Sequence, residues 1–210
     1  MKSTFQDGQI VLFQGDSITD CSRDRNDPSS LGTGYASLVA KLYSTLFPEK
    51  QVTFINKGIS GNRVKDLLAR YDEDFKALQP DYLSILIGVN DTWRRYDKND
   101  PTSVEEFENT YRTLLTKIKE DLPDCKLTII EPFLLNSIPE RATWREDLDP
   151  KIQVVRKLAK EFADYYIPMD GIYAKYEVEQ YTCTELAQDG VHPSHIGHRI
   201  IAEEYLKLFL

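Results

Sequence analysis

Apolar and polar positions along this chain follow two alternating periods. Short unbroken apolar runs recur at "QIVLFQ" (9–14), "QVTFIN" (51–56), "DYLSILIG" (81–88) and "CKLTIIEPF" (125–133), with a shorter one at "YIPMD" (166–170). Runs of this length, bounded by Gly, Asn, Asp or Pro, have the pattern of buried strands. Between them, apolar residues stand three and four apart over 34–47, 62–78, 103–122, 151–166 and 194–210, and over a short stretch near 171–180. That spacing gathers the apolar side chains on one helical face. Pro48 and Pro80 follow two of the predicted helices, and Ser103 with Glu106 forms a capping box at the start of another. Only 134–149 has weak periodicity.

Strands separated by helices predict an α/β fold with a parallel sheet and right-handed crossovers. Five strands point to an open, doubly wound sheet in the flavodoxin-like order 2-1-3-4-5, a three-layer α/β/α sandwich. No repeat, low-complexity tract or linker interrupts the 210 residues, so a single domain over 1–210 is expected. In such sheets ligands bind beyond the carboxyl ends of the strands, near the switch in strand order.

Composition narrows the partners. A net charge of −8 argues against nucleic acid and against anionic membrane surfaces, since both recruit basic stripes. No apolar stretch reaches the roughly 18 residues of a membrane span, and no signal peptide is visible, so a cytoplasmic location is expected. Three scattered cysteines, Cys21, Cys125 and Cys183, predict free thiols rather than a disulfide framework. Cys21 lies near the first strand end but lacks a CxxC motif or a histidine nearby in sequence, so it is not read as a nucleophile. An acidic surface with several unassigned aromatics permits self-association, and a homo-oligomer is expected.

The candidate chemistry stands at the predicted strand ends. "GDSITD", with Ser17, follows strand 1; "NKGISGNR", with Gly58 and Gly61, follows strand 2; "GVNDTWRRY", with Asn90, follows strand 3. In the order 2-1-3 these are neighbours, so a hydroxyl, a glycine-rich turn and an amide converge. Acyl transfer needs such a set, because preorganised N–H donors stabilise the developing oxyanion. The expected donors are the Ser17 and Gly58 backbone N–H groups and the Asn90 side chain. A serine nucleophile also needs a base and an orienter. All three histidines, His192, His195 and His198, lie in "DGVHPSHIGHR", where Asp189 precedes His192 by three residues. One loop can therefore aim the Asp189 carboxylate at one ring nitrogen and leave the other facing Ser17. Asp16 is read as a turn cap, not as the acid. His195 and His198 with Asp189 are the alternative, a metal site, but a further well-spaced ligand is missing, so no metal and no cofactor is expected. Trp93 and Tyr96 are candidate walls for a sugar ring, with Arg94 and Arg95 as partners for hydroxyl groups.

These blocks resemble the SGNH, or GDSL-type, hydrolases: Ser17 in "GDSIT", Gly58 in "NKGISG", Asn90 in "GVND" and His192 in "DGVHP". The resemblance spans residues 15–193 and implies a serine esterase with Ser17 as nucleophile, His192 as base and Asp189 as its orienter. Ile18 stands where the family's name has leucine. "GDSITDC", "LGTGY", "NKGISGN", "NDTWRRYD" and "VHPSHIGH" look, more narrowly, like intracellular acetylxylan esterases and related carbohydrate O-deacetylases. That implies a small-molecule ester substrate, acetylated xylo-oligosaccharides in particular. A lysophospholipase or acyl thioesterase on the same machinery is the alternative, and a non-enzymatic sugar-binding protein of the same fold a third reading.

Overall fold

The protein is described by a computed structural model over residues 4–210. Strands β1 (Ile10–Gly15), β2 (Thr53–Asn56), β3 (Tyr82–Leu86), β4 (Lys126–Ile130) and β5 (Tyr165–Ile167) form one all-parallel sheet, in the order β2-β1-β3-β4-β5. Side chains alternate across it. Val11 and Phe13 of β1 join a core with Tyr35, Val39, Ile200 and Tyr205, beneath the helices Tyr35–Leu46 and His195–Leu206. Leu12 points the other way, into a core with Leu67, Leu114 and Val155 under Val64–Ala69, Val104–Asp121 and Arg145–Phe162. Each fully buried Leu, Ile or Phe contributes about 1.5–3 kcal/mol by leaving water. Burial on both faces therefore pins β1, whose carboxyl end carries Ser17. The three-layer architecture and strand order agree with the sequence reading.

Three helices depart from it. The helix expected over 62–78 is broken into Val64–Ala69, the turn Tyr71–Asp74 and the 3-10 turn Lys76–Leu78, with Arg70 and Phe75 out of helical dihedrals. Buried Gln14 of β1 supplies a cause: its amide donates to the Asp74 carbonyl at 2.6 Å, drawing that group away from the helical ladder. Residues 89–98, expected as a loop, form the helix Val89–Lys98. The helix expected from 151 starts at Arg145 and runs through Pro150, preceded by a 3-10 segment, Pro139–Trp144. A proline there frees the Glu146 carbonyl, but both residues are exposed to solvent. Buried Trp144 and Leu148 hold the early turn in place.

Candidate active site

Ser17 opens a helical turn, Ser17–Asp20, straight after β1, and Asp16 caps that turn by accepting the Ile18 N–H at 3.0 Å. Burial pushes the Asp16 carboxyl up to about 7, against the opposing effect of the Ile18 N–H. Its second oxygen is buried and has no partner among the described residues.

From the far end of the chain comes the loop Asp189–His192. One Asp189 carboxylate oxygen accepts the N–H groups of Val191 (3.0 Å) and His192 (2.7 Å), and the other lies 2.8 Å from His192 Nδ1. The local D-x-x-H spacing is thus folded into a tight turn by its own aspartate. His192 Nε2 then stands 2.9 Å from Ser17 Oγ, across 175 residues of sequence. With the Nδ1 proton donated to Asp189, the neutral ring presents a lone pair to the serine hydroxyl. Burial alone would raise the Asp189 carboxyl, but the hydrogen bonds from the His192 ring and from the two N–H groups outweigh it and hold it well below the usual carboxylate range. His192 is shifted up, chiefly by its hydrogen bond to Asp189 and against partial desolvation. The ring remains 46% exposed, beside an open cleft of about 310 Å³ lined by Gln188, Asp189, His192, Pro193 and Ser194.

The donor expected at Gly58 is spent. Its N–H is buried and donates to Asn56 Oδ1 at 2.9 Å, because the Asn56 side chain folds back over the turn it precedes. In the same turn Ile59 donates to Gly15 O, Ser60 to Asp20 and Asn62 to Ile59 O. The exposed Gly61 N–H has no partner among the described residues. Gly58 and Gly61 stand in the same loop, and the Asn56 contact separates a bonded N–H from an open one. Asn90 gives one amide N–H to Asn62 O at 3.2 Å and keeps a second. Its Oδ1 accepts from Arg94 Nη2 at 3.2 Å, which fixes which way the amide faces.

Arg94 also pairs with Asp97 at 2.6 Å, so its guanidinium is committed inside the protein rather than offered to a sugar hydroxyl. Arg95 is likewise paired, with Asp147. Trp93 packs against Trp144 and lies 5.7 Å, centroid to centroid, from the His192 ring. Tyr96 stacks on Trp144 and donates to Thr143 O at 3.1 Å. These aromatics form a wall beside the base. Sequence analysis missed Arg141, whose guanidinium sits over both indoles and bonds the Asp189 loop. No signal in the weakly periodic stretch that carries it marked this residue.

Among the described residues no three His, Cys, Asp or Glu side chains stand together as metal ligands. His198 Nε2 lies 3.3 Å from Cys21 Sγ, and its Nδ1 accepts the Tyr35 N–H, so it is turned away from Asp189. No helix of the described residues is long and apolar enough to cross a membrane.

A hydroxyl, an imidazole and a carboxylate in line, next to unspent amide donors, can carry out acyl transfer. Comparison with known proteins agrees: residues 13–200 match the model of the GDSL-like lipase/acylhydrolase family. The chain belongs to that family. This GDSL-like chain is 37% identical over 208 residues to the acetylxylan esterase of Geobacillus stearothermophilus, covering 95% of this chain and 93% of the relative. The crystal structure of that esterase superposes with a TM-score of 0.86, at 37% identity, over 96% of this chain and 94% of that one. Other structures of it are described as catalytic mutants, with a serine, a histidine and an aspartate each replaced by alanine. A putative GDSL-like lipase from Parabacteroides merdae superposes with a TM-score of 0.90 at 36% identity, over 99% of this chain and 98% of that one. A more distant GDSL-like relative is thioesterase 1/protease 1/lysophospholipase L1 of Escherichia coli K12, 26% identical over 83% of this chain and 76% of its own length. The chain is a carboxylic ester hydrolase.

Proposed function

We propose that this GDSL-like hydrolase removes O-acetyl groups from a carbohydrate, acetylated xylo-oligosaccharides first among them, through an acyl-enzyme on Ser17. The reading rests on one observation above all, the array of Ser17 Oγ, His192 and Asp189 linked at 2.9 and 2.8 Å. His192 Nε2 takes the Ser17 proton as Oγ attacks the acetyl carbonyl. The oxyanion is met by the Ser17 and Gly61 N–H groups and the free Asn90 amide proton. The tetrahedral intermediate collapses, His192 gives its proton to the departing sugar oxygen, and acetyl stays on Ser17. Water, deprotonated by the same imidazole, then attacks the acyl-enzyme and releases acetate. Asp189 keeps the ring in the required tautomer throughout and favours the imidazolium.

Similarity to the acetylxylan esterase supports the sugar ester. In that relative the replaced aspartate and histidine are three residues apart, as are Asp189 and His192. The indole of Trp93 beside the His192 ring suits a polar ring with one apolar face better than a long acyl chain. The test is acetate release from acetylated xylo-oligosaccharides by wild type and Ser17→Ala, with p-nitrophenyl acetate and p-nitrophenyl octanoate in parallel. Acetate release that vanishes in the variant is expected. Turnover of octanoate with the sugars left acetylated would replace this reading by the lysophospholipase or thioesterase one.

A further inference from the structure

The loop that carries the aspartate is docked on the segment running from Leu135 to Trp144. Leu135 N–H donates to Gly190 O at 2.8 Å, Ser137 Oγ to Ala187 O at 2.6 Å, and Arg141 Nη1 to Asp189 O at 2.6 Å. Arg141 alone among these three brings charge. The same Nη1 lies 3.3 Å from Asp189 Oδ2, the oxygen that holds His192 Nδ1. Its guanidinium lies against both indoles, 4.7 Å from the Trp93 centroid and 4.9 Å from that of Trp144, which themselves pack 5.3 Å apart. Planar stacking with a fork of donors leaves it little freedom to swing away.

We propose that Arg141 is a positioning residue for the triad: it fixes the Asp189 backbone and carboxylate together and thereby sets the orientation and basicity of His192. The inference rests on the triad reading above. The Arg141 cation draws on the same carboxylate oxygen that supports the imidazolium, so it restrains how far Asp189 raises His192. The other groups facing His192 are Asp189 on its own loop, Asp16 beside Ser17, both of which favour protonation, and His198 of the last helix. Arg141 opposes protonation.

The experiment compares wild type, Arg141→Met and Arg141→Lys. It reads kcat and KM on p-nitrophenyl acetate against pH, and the His192 imidazole titration by NMR, which three histidines make assignable. Methionine keeps an apolar side chain against the two indoles without charge or donors. The expected result is a ten- to hundredfold fall in kcat, of the order seen when a reacting group is misplaced by about 1 Å. KM stays unchanged, and the His192 titration moves to higher pH. Lysine keeps the charge but loses the fork, so the titration returns towards its wild-type position while kcat stays low. A folded Arg141→Met with wild-type kcat and titration overturns the proposal, as does a loss confined to KM. If Arg141→Met does not fold, a wild-type kcat in Arg141→Lys overturns it. Ser17→Ala run alongside separates the two readings: turnover surviving there sinks the triad, while the His192 titration still decides whether Arg141 acts on that ring.

Discussion

Gly190 follows Asp189 in the turn that leads to His192 and gives a quantitative test of how the loop is held. Its φ is +82°, and a Cβ built there would meet Leu135 O at 2.4 Å. Gly8 has the same φ of +82° but nothing within 4 Å of its Cβ position, and it lies exposed, just before β1 at the end of the strand away from Ser17. Gly8→Ala therefore carries the backbone cost alone, about 1–2 kcal/mol for an L-residue in the left-handed region. Gly190→Ala carries that cost and must also part from Leu135, giving up the Leu135 N–H bond to Gly190 O, worth about 1 kcal/mol. At about 2–4 °C per kcal/mol for a chain of this size, Tm falls by about 4 °C in Gly8→Ala and about 8 °C in Gly190→Ala. Relieving the 2.4 Å contact moves the loop by about 1 Å, enough to cost on the order of a hundredfold in rate. Differential scanning calorimetry and kcat on p-nitrophenyl acetate read both quantities. Equal behaviour of the two variants would refute the idea that docking on Leu135 holds the catalytic loop in register.

Two further outcomes follow from the same geometry. Asn90→Ala leaves the fold intact but lowers kcat by about 10²–10³, the loss typical of one oxyanion donor; a loss under tenfold would mean the amide faces something other than the oxyanion. Only neutral His192 can accept the Ser17 proton, and the Asp189 hydrogen bond raises it above the ordinary imidazole value of 6.5. The kcat/KM profile should therefore fall on its acid side with a limb above that pH. In Asp189→Asn, which removes the anion that favours protonation, the limb should move to lower pH as activity drops; an unmoved limb would assign it to another group.

How legible these features were in the sequence depended on how local their causes are. Ser17, Asn90 and His192 each follow a strand end or stand in a short turn whose chemistry is written in neighbouring residues. The D-x-x-H turn is closed by Asp189 itself, so its geometry is inscribed within four residues. Gly58 and Gly61 were not separable, because the deciding contact is a side chain, Asn56, folding back on the loop. The helix Val89–Lys98 hid behind an almost wholly polar face, "VNDTWRRYDK", with little apolar periodicity to detect. Pro150 disguised the start of Arg145–Phe162, since only exposure of the Glu146 carbonyl makes a proline tolerable there. Besides nearby Trp144, Arg141 owes its place to Asp189 and Trp93, each 48 residues away in sequence and beyond the reach of any local pattern.

The separation of Ser17 from His192 also orders events in time. Ser17 is synthesised first, and His192, its proposed base, follows 175 residues later. At roughly 5–20 residues per second the interval is about 10–35 s. Throughout it the growing chain carries a serine with no imidazole to activate it, and it lacks the closing helix that buries Ile200 and Tyr205 against β1. On the proposed mechanism, a product truncated before His192 would hold the serine without its base, and it is expected to be catalytically silent.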